Sequence, residues 1–141
     1  FVHAGLSARL LERDLEIETL NARMSEGLYR TSKERKEDPT LEFLYRSAGP
    51  VWYRGMVCAD EKYDPLTPEQ TGALLRRYDA DRLLVGHTIF PDISTFHDGR
   101  VIAVNVQNDL NRRKNRGRAV LIEGSRISVV GNRGVKRVLE E

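Results

Sequence analysis

Two short apolar runs, far apart in the chain, each deliver a histidine beside a glycine: Phe1-Val2-His3-Ala4-Gly5-Leu6 and Leu83-Leu84-Val85-Gly86-His87-Thr88. An apolar run of this length followed by glycine reads as a strand that stops where the backbone turns sharply. In an α/β sheet, side chains at strand ends face the crevice where ligands bind. A single histidine there is usually a structural hydrogen-bonder. Two in the same context can also converge on one metal ion, because neutral imidazole is a good ligand for borderline divalent metals. Spacing alone leaves both readings open.

The 141 residues suffice for one domain with a real core. Charge says little about partners, since 23 basic and 21 acidic residues leave a net charge of only +2. No apolar run approaches the roughly 18 residues of a membrane span. Nothing fixes a compartment, with the cytoplasm favoured. Cys58 is the only cysteine, which excludes an internal disulfide and a multi-cysteine zinc site. In Met56-Val57-Cys58-Ala59 it reads as a half-buried small hydrophobe. The chain opens inside a strand at Phe1, so it is expected to be a fragment or a processed product.

Along the chain, Ser7 reads as the cap of a helix running from Ala8 to about Met24, with Leu10, Ile17, Leu20 and Met24 on one stripe and Gly27 at its end. The charged stretch 31–40 reads as a solvated connector or a helix end. Ser47-Ala48-Gly49-Pro50 breaks the next apolar segment. Thr67-Pro68-Glu69-Gln70 is a clear helix start, with a cap, a proline at the first helical position and a capping box. The helix is expected to reach Tyr78 and to be followed by a strand over 82–85. Two hairpins follow, turning at His97-Asp98-Gly99 and at Glu123-Gly124-Ser125, with a last strand or frayed tail over 135–139. The order predicts part of a layered α/β protein whose sheet ends in antiparallel strands, with the first strand's edge open to a partner strand.

Four segments sharpen this reading. Phe1 to Leu6, Gly49-Pro50-Val51-Trp52-Tyr53-Arg54-Gly55, Val85-Gly86-His87-Thr88 and Phe96-His97-Asp98-Gly99-Arg100-Val101-Ile102-Ala103-Val104 together resemble the C-terminal half of a calcineurin-like metallophosphoesterase. They are most similar to the bacterial-type branch related to the phosphoprotein phosphatases. The resemblance implies a two-sheet α/β sandwich with two divalent metal ions (Mn, Fe or Zn) at the strand ends. It implies that His3 and His87 bind the second of these metals. Ile89 stands where other branches carry a further histidine, which the phosphoprotein phosphatase branch also lacks, and Ala4 and Gly5 share the place of the glycine that follows the first motif histidine. Arg54 would hold substrate phosphate, which a planar guanidinium can grip through two oxygens; the other reading is an arginine stacked on Trp52 or Tyr53.

The remaining motifs of that family, Asp-x-His, Gly-Asp-x-x-Asp-Arg-Gly and Gly-Asn-His-Glu, do not occur here. The expectation is therefore a metal-dependent phosphatase of phosphomonoesters, of proteins or small molecules, that is active only together with its N-terminal half. The alternative is a non-catalytic scaffold that keeps the framework. His97, Asp92 and Asp98 read as loop residues without metal-site spacing. Residues 111–118 carry five basic side chains without interleaved aromatics, so a solvated rim is favoured over nucleic-acid binding.

Overall fold

The computed structural model describes residues 1–134 and 136–140. Its helices come mostly first and its strands last. The expected first helix forms only in its second half. Ala8–Leu10 is a single 3-10 turn, and α1 runs Ile17–Leu28. Ser7 makes no side-chain cap bond; its hydroxyl is turned to the carbonyl of Ala48, to which it donates (2.7 Å). Leu10 and Leu15 are both buried, yet residues five apart lie roughly 140° apart around a helix. Breaking the chain at 11–16 lets both reach the core. Gly27 lies inside the last turn of α1 and not beyond it. A Cβ there would sit 2.2 Å from the Tyr45 ring, whose hydroxyl donates to the carbonyl of Met24.

The charged stretch 31–40 is not a connector. It holds α2 (Ser32–Glu37) and the start of α3 (Pro39–Tyr45). Thr31 and Glu34 form a capping box, and Asp38 accepts from the N–H groups of Thr40 (3.0 Å) and Leu41 (3.1 Å). Proline at the first helical position costs nothing, since its missing N–H would be unpaired there. The caps were present in the sequence, hidden among charges. At Thr67 the reading holds: α4 spans Pro68–Arg77 with the capping box formed by Thr67 and Gln70.

The first sheet is built from β1 (Leu83–Val85), β2 (Ser94–Phe96) and β3 (Val101–Ala103), in the order β1-β3-β2. β1 runs parallel to β3 with Leu83 opposite Val101, and β2 runs antiparallel to β3 with Phe96 opposite Val101. The expected opening strand is reduced to one parallel bridge from Val2 to Val85. The short helix α5 (Asn108–Arg113) leads to a second, antiparallel sheet of β4 (Arg118–Glu123), β5 (Arg126–Gly131) and β6 (Lys136–Glu140). Both predicted hairpins form, and the last strand is present from Lys136, Val135 lying outside the described residues.

β3 joins the layers because successive side chains on a strand point to opposite faces. Val101 and Ala103 belong to the main core with Leu10, Leu44, Tyr53, Met56, Leu74 and Val85. Ile102 belongs to a second cluster with Ile93, Val106, Ile127 and Val129. Helices therefore cover one face of the first sheet and the second sheet covers the other, an α/β arrangement. No helix among the described residues is long and apolar enough to cross a membrane.

Candidate functional site

His3 is placed by the backbone on both sides of it. Its carbonyl accepts from Gly86 N–H (2.9 Å), Val2 N–H donates to Leu84 (3.0 Å), and Ala4 N–H donates to Pro50 (2.9 Å). The opening segment is thus clamped between the end of β1 and the loop over 49–55. Gly5 suits that clamp, since a Cβ there would press on the carbonyl oxygen of Tyr53 at 3.0 Å.

His87 follows β1 after one residue and adopts a left-handed backbone with φ of 58°. Histidine tolerates this region better than most side chains, but it is a strained place for a non-glycine residue. The turn swings its imidazole back towards the opening segment. His3 Nε2 and His87 Nδ1 lie 3.2 Å apart, and the ring centroids are 5.1 Å apart. Trp52 stands edge-on to the same ring, with centroids 5.2 Å apart at 90°.

Arg54 reaches the other side of His87, with Nη2 3.0 Å from Nε2. The loop that carries it turns twice on Gly49, whose carbonyl accepts from Trp52 (3.1 Å) and Tyr53 (3.0 Å). The buried Tyr53 pins the loop, donating from its hydroxyl to the carbonyl of Asp64 (2.5 Å). Arg54 interacts with His87 and is not stacked on Trp52 or Tyr53; its ring neighbour is Tyr63, at 5.8 Å from the centroid. A guanidinium only donates, so His87 Nε2 accepts, and its ring proton sits on Nδ1 facing His3. Burial, then the charge of Arg54, then that of His3 hold the His87 pKa below the usual imidazole range.

The three residues singled out in the sequence are therefore neighbours. The other candidates lie elsewhere. His97 is half-buried and its Nε2 meets the carbonyl of Met56 (3.0 Å). Asp92 accepts from Arg118 (2.8 Å), which with Arg116 on Asn111 (3.1 Å) takes up part of the basic stretch 111–118. Cys58 packs against the main apolar core. Among the described residues no group of three or more His, Cys, Asp or Glu side chains is placed to hold a metal ion. What the sequence did not reveal is a cavity beside Arg54 lined by Arg9, Arg46, Lys62 and Tyr63. Its walls come from four separate stretches of the chain, so no local pattern announces it.

No family model matches the chain. It is 30% identical over 106 residues to the uncharacterized protein C1840.07c of Schizosaccharomyces pombe, matching 74% of this chain and 30% of that protein. Its fold is similar to a cold-active protein tyrosine phosphatase solved at 1.1 Å (TM-score 0.85, 26% identity, 99% of this chain and 39% of that one). It is likewise similar to a cold-active protein-tyrosine phosphatase of a psychrophile Shewanella sp. (TM-score 0.84, 25% identity, 98% and 39%). The chain thus spans well under half the length of the proteins it matches.

Proposed function

We propose that this chain is the C-terminal part of a metal-dependent phosphatase of the calcineurin-like type, which hydrolyses phosphomonoesters, phosphorylated proteins among them. The observation that carries this reading is the convergence of His3, His87 and Arg54 from three distant segments. The likeness to protein tyrosine phosphatases supports the phosphoester chemistry. Cys58, the only cysteine in the sequence, is partly buried against the main apolar core.

The histidine pair fits a metal. The two imidazole nitrogens face each other at 3.2 Å, and neutral imidazole is a good ligand for borderline divalent metals. His3 Nε2 and His87 Nδ1 would be two ligands of such a site, and since the described residues bring no third His, Cys, Asp or Glu to them, the others would come from the rest of the protein. When bound, divalent metals neutralise the anionic ester and lower the pKa of a water.

His87 links this site to Arg54. With Nδ1 engaged by a metal, the His87 ring proton would sit on Nε2, where it would oppose the donors of Arg54. The guanidinium would then be free to donate to phosphate oxygens, where developing charge needs it. In the arrangement observed here, His87 holds Arg54 in reserve.

The test is metal content together with hydrolysis of para-nitrophenyl phosphate by the full-length protein, comparing wild type with a His3→Ala, His87→Asn variant. Loss of both metal and turnover in the variant is expected. Undiminished metal and turnover would overturn the assignment, and turnover that survives chelation but is abolished by a thiol reagent would replace it with a cysteine mechanism.

A further inference from the structure

The cavity beside Arg54 has a volume of about 810 Å³, within the range of ligand sites. It is bounded by Arg9 after the opening segment, Arg46 at the end of α3, Trp52 and Arg54 on the loop, and Lys62 and Tyr63 on a 3-10 turn. Four of its lining residues are cations, and Asp64 is the only carboxylate among them. Two of the cations are partly answered, Arg46 by Glu42 (3.2 Å) and Lys62 by Asp60 (2.7 Å), on side chains that remain largely in solvent. Arg9 has no ion pair with any described residue, although its charge is felt by Tyr53.

Arg54 stands at the histidine pair, where the phosphate of the proposed substrate would be held. The remaining positive charge extends along the same cavity, away from the histidines. Exposed charges of this kind add little to stability. They do attract and select ligands of opposite sign, most strongly at low ionic strength. Trp52 is half exposed at the junction, where an aromatic face can carry the residue that bears the phosphate.

We infer that this cavity is the substrate-selecting groove of the phosphatase site: it takes a phosphorylated peptide segment whose neighbouring residues are acidic, Arg9 and Arg46 receiving the flanking carboxylates. The inference rests on the phosphatase reading above. Continuity with Arg54 favours a phosphopeptide over a single-stranded nucleic acid, which would use the same charges and aromatic faces without needing the histidine pair.

Three phosphotyrosine peptides, identical except for glutamate, alanine or lysine flanks, test it on the full-length metal-loaded protein, with para-nitrophenyl phosphate as a small reference ester. The expected order of kcat/KM is glutamate, alanine, lysine. The glutamate peptide should exceed the alanine peptide about fivefold to tenfold at low salt, and this ratio should collapse towards one in about 0.5 M salt. The ratio should also collapse in the Arg9→Gln, Arg46→Gln variant, both positions being exposed. Turnover of the small ester with equal rates on all three peptides would overturn the groove and leave the phosphatase reading standing. Turnover of none of the four would overturn the phosphatase reading, and the groove with it. A single-stranded oligonucleotide bound more tightly than the glutamate peptide would also overturn the groove.

Discussion

His87 touches Arg54 through Nε2 and His3 through Nδ1, at 3.0 and 3.2 Å, so both nitrogens of one ring are committed in opposite directions. This ring is the hinge of the proposed site. Any change on one side of it is felt on the other, and the first two predictions follow from that.

Removing Arg54 should raise the pKa of His87, because its charge is one of the causes that hold the ring below the normal range. An Arg54→Ala variant, followed by the pH dependence of the ring nitrogen resonances, should show His87 titrating at higher pH than in wild type. Its kcat/KM for a phosphomonoester should fall by about a hundredfold to a thousandfold, the loss typical for a donor aimed at developing charge. A titration unmoved by the substitution would sever Arg54 from His87.

The same depressed pKa makes stability depend on pH. The folded ring binds its proton less tightly than the unfolded chain does, so stability rises with pH across this titration. The contribution is fully present above about pH 6.5, the unfolded value, and is lost as pH falls through that value towards the folded pKa. Urea midpoints for wild type and His87→Asn at about pH 5 and pH 7.5 should show the wild type losing more on acidification. Asparagine suits this comparison because it tolerates the left-handed backbone of position 87.

At Gly49 a Cβ would lie 2.1 Å from the carbonyl oxygen of Leu44, and a backbone oxygen cannot step aside as a side chain can. Gly49→Ala is expected to cost about 2–3 kcal/mol, read as a lowered urea midpoint. Because Trp52 and Tyr53 both hang on the Gly49 carbonyl, the variant should also lose phosphatase activity beyond what its folded fraction explains.

Thr67→Ala offers the contrast. The side chain caps α4 and closes its capping box, away from the histidines in the chain, and its loss should cost about 1 kcal/mol. Chemical denaturation should show the drop, while kcat/KM of the folded protein stays at the wild-type value.

What could be read in advance was local. The capping box at Thr67 and Gln70 and the two hairpins depend on residues within a few positions of one another, and all formed as read. The helix expected from Ala8 stops after one turn, where Leu10 and Leu15 both enter the core, and the Ser7 hydroxyl turns to Ala48, 41 residues away, a partner that no window around Ser7 contains. The caps at Thr31 and Asp38 were equally local but were masked by the charge around them. At the site, strand-end placement pointed to His3 and His87, and the family resemblance with the phosphate-binding chemistry of a guanidinium pointed to Arg54. Their distances depended on where long-range backbone bonds lock the opening segment against β1 and the loop over 49–55. The cationic groove lies further along the same scale. Arg9, Arg46 and Lys62 are unremarkable surface residues in sequence, and they share a wall only because packing of the core brings three separate segments to one side of Arg54. Short-range hydrogen bonding is written in neighbouring residues, whereas convergence of charges is set by the whole fold.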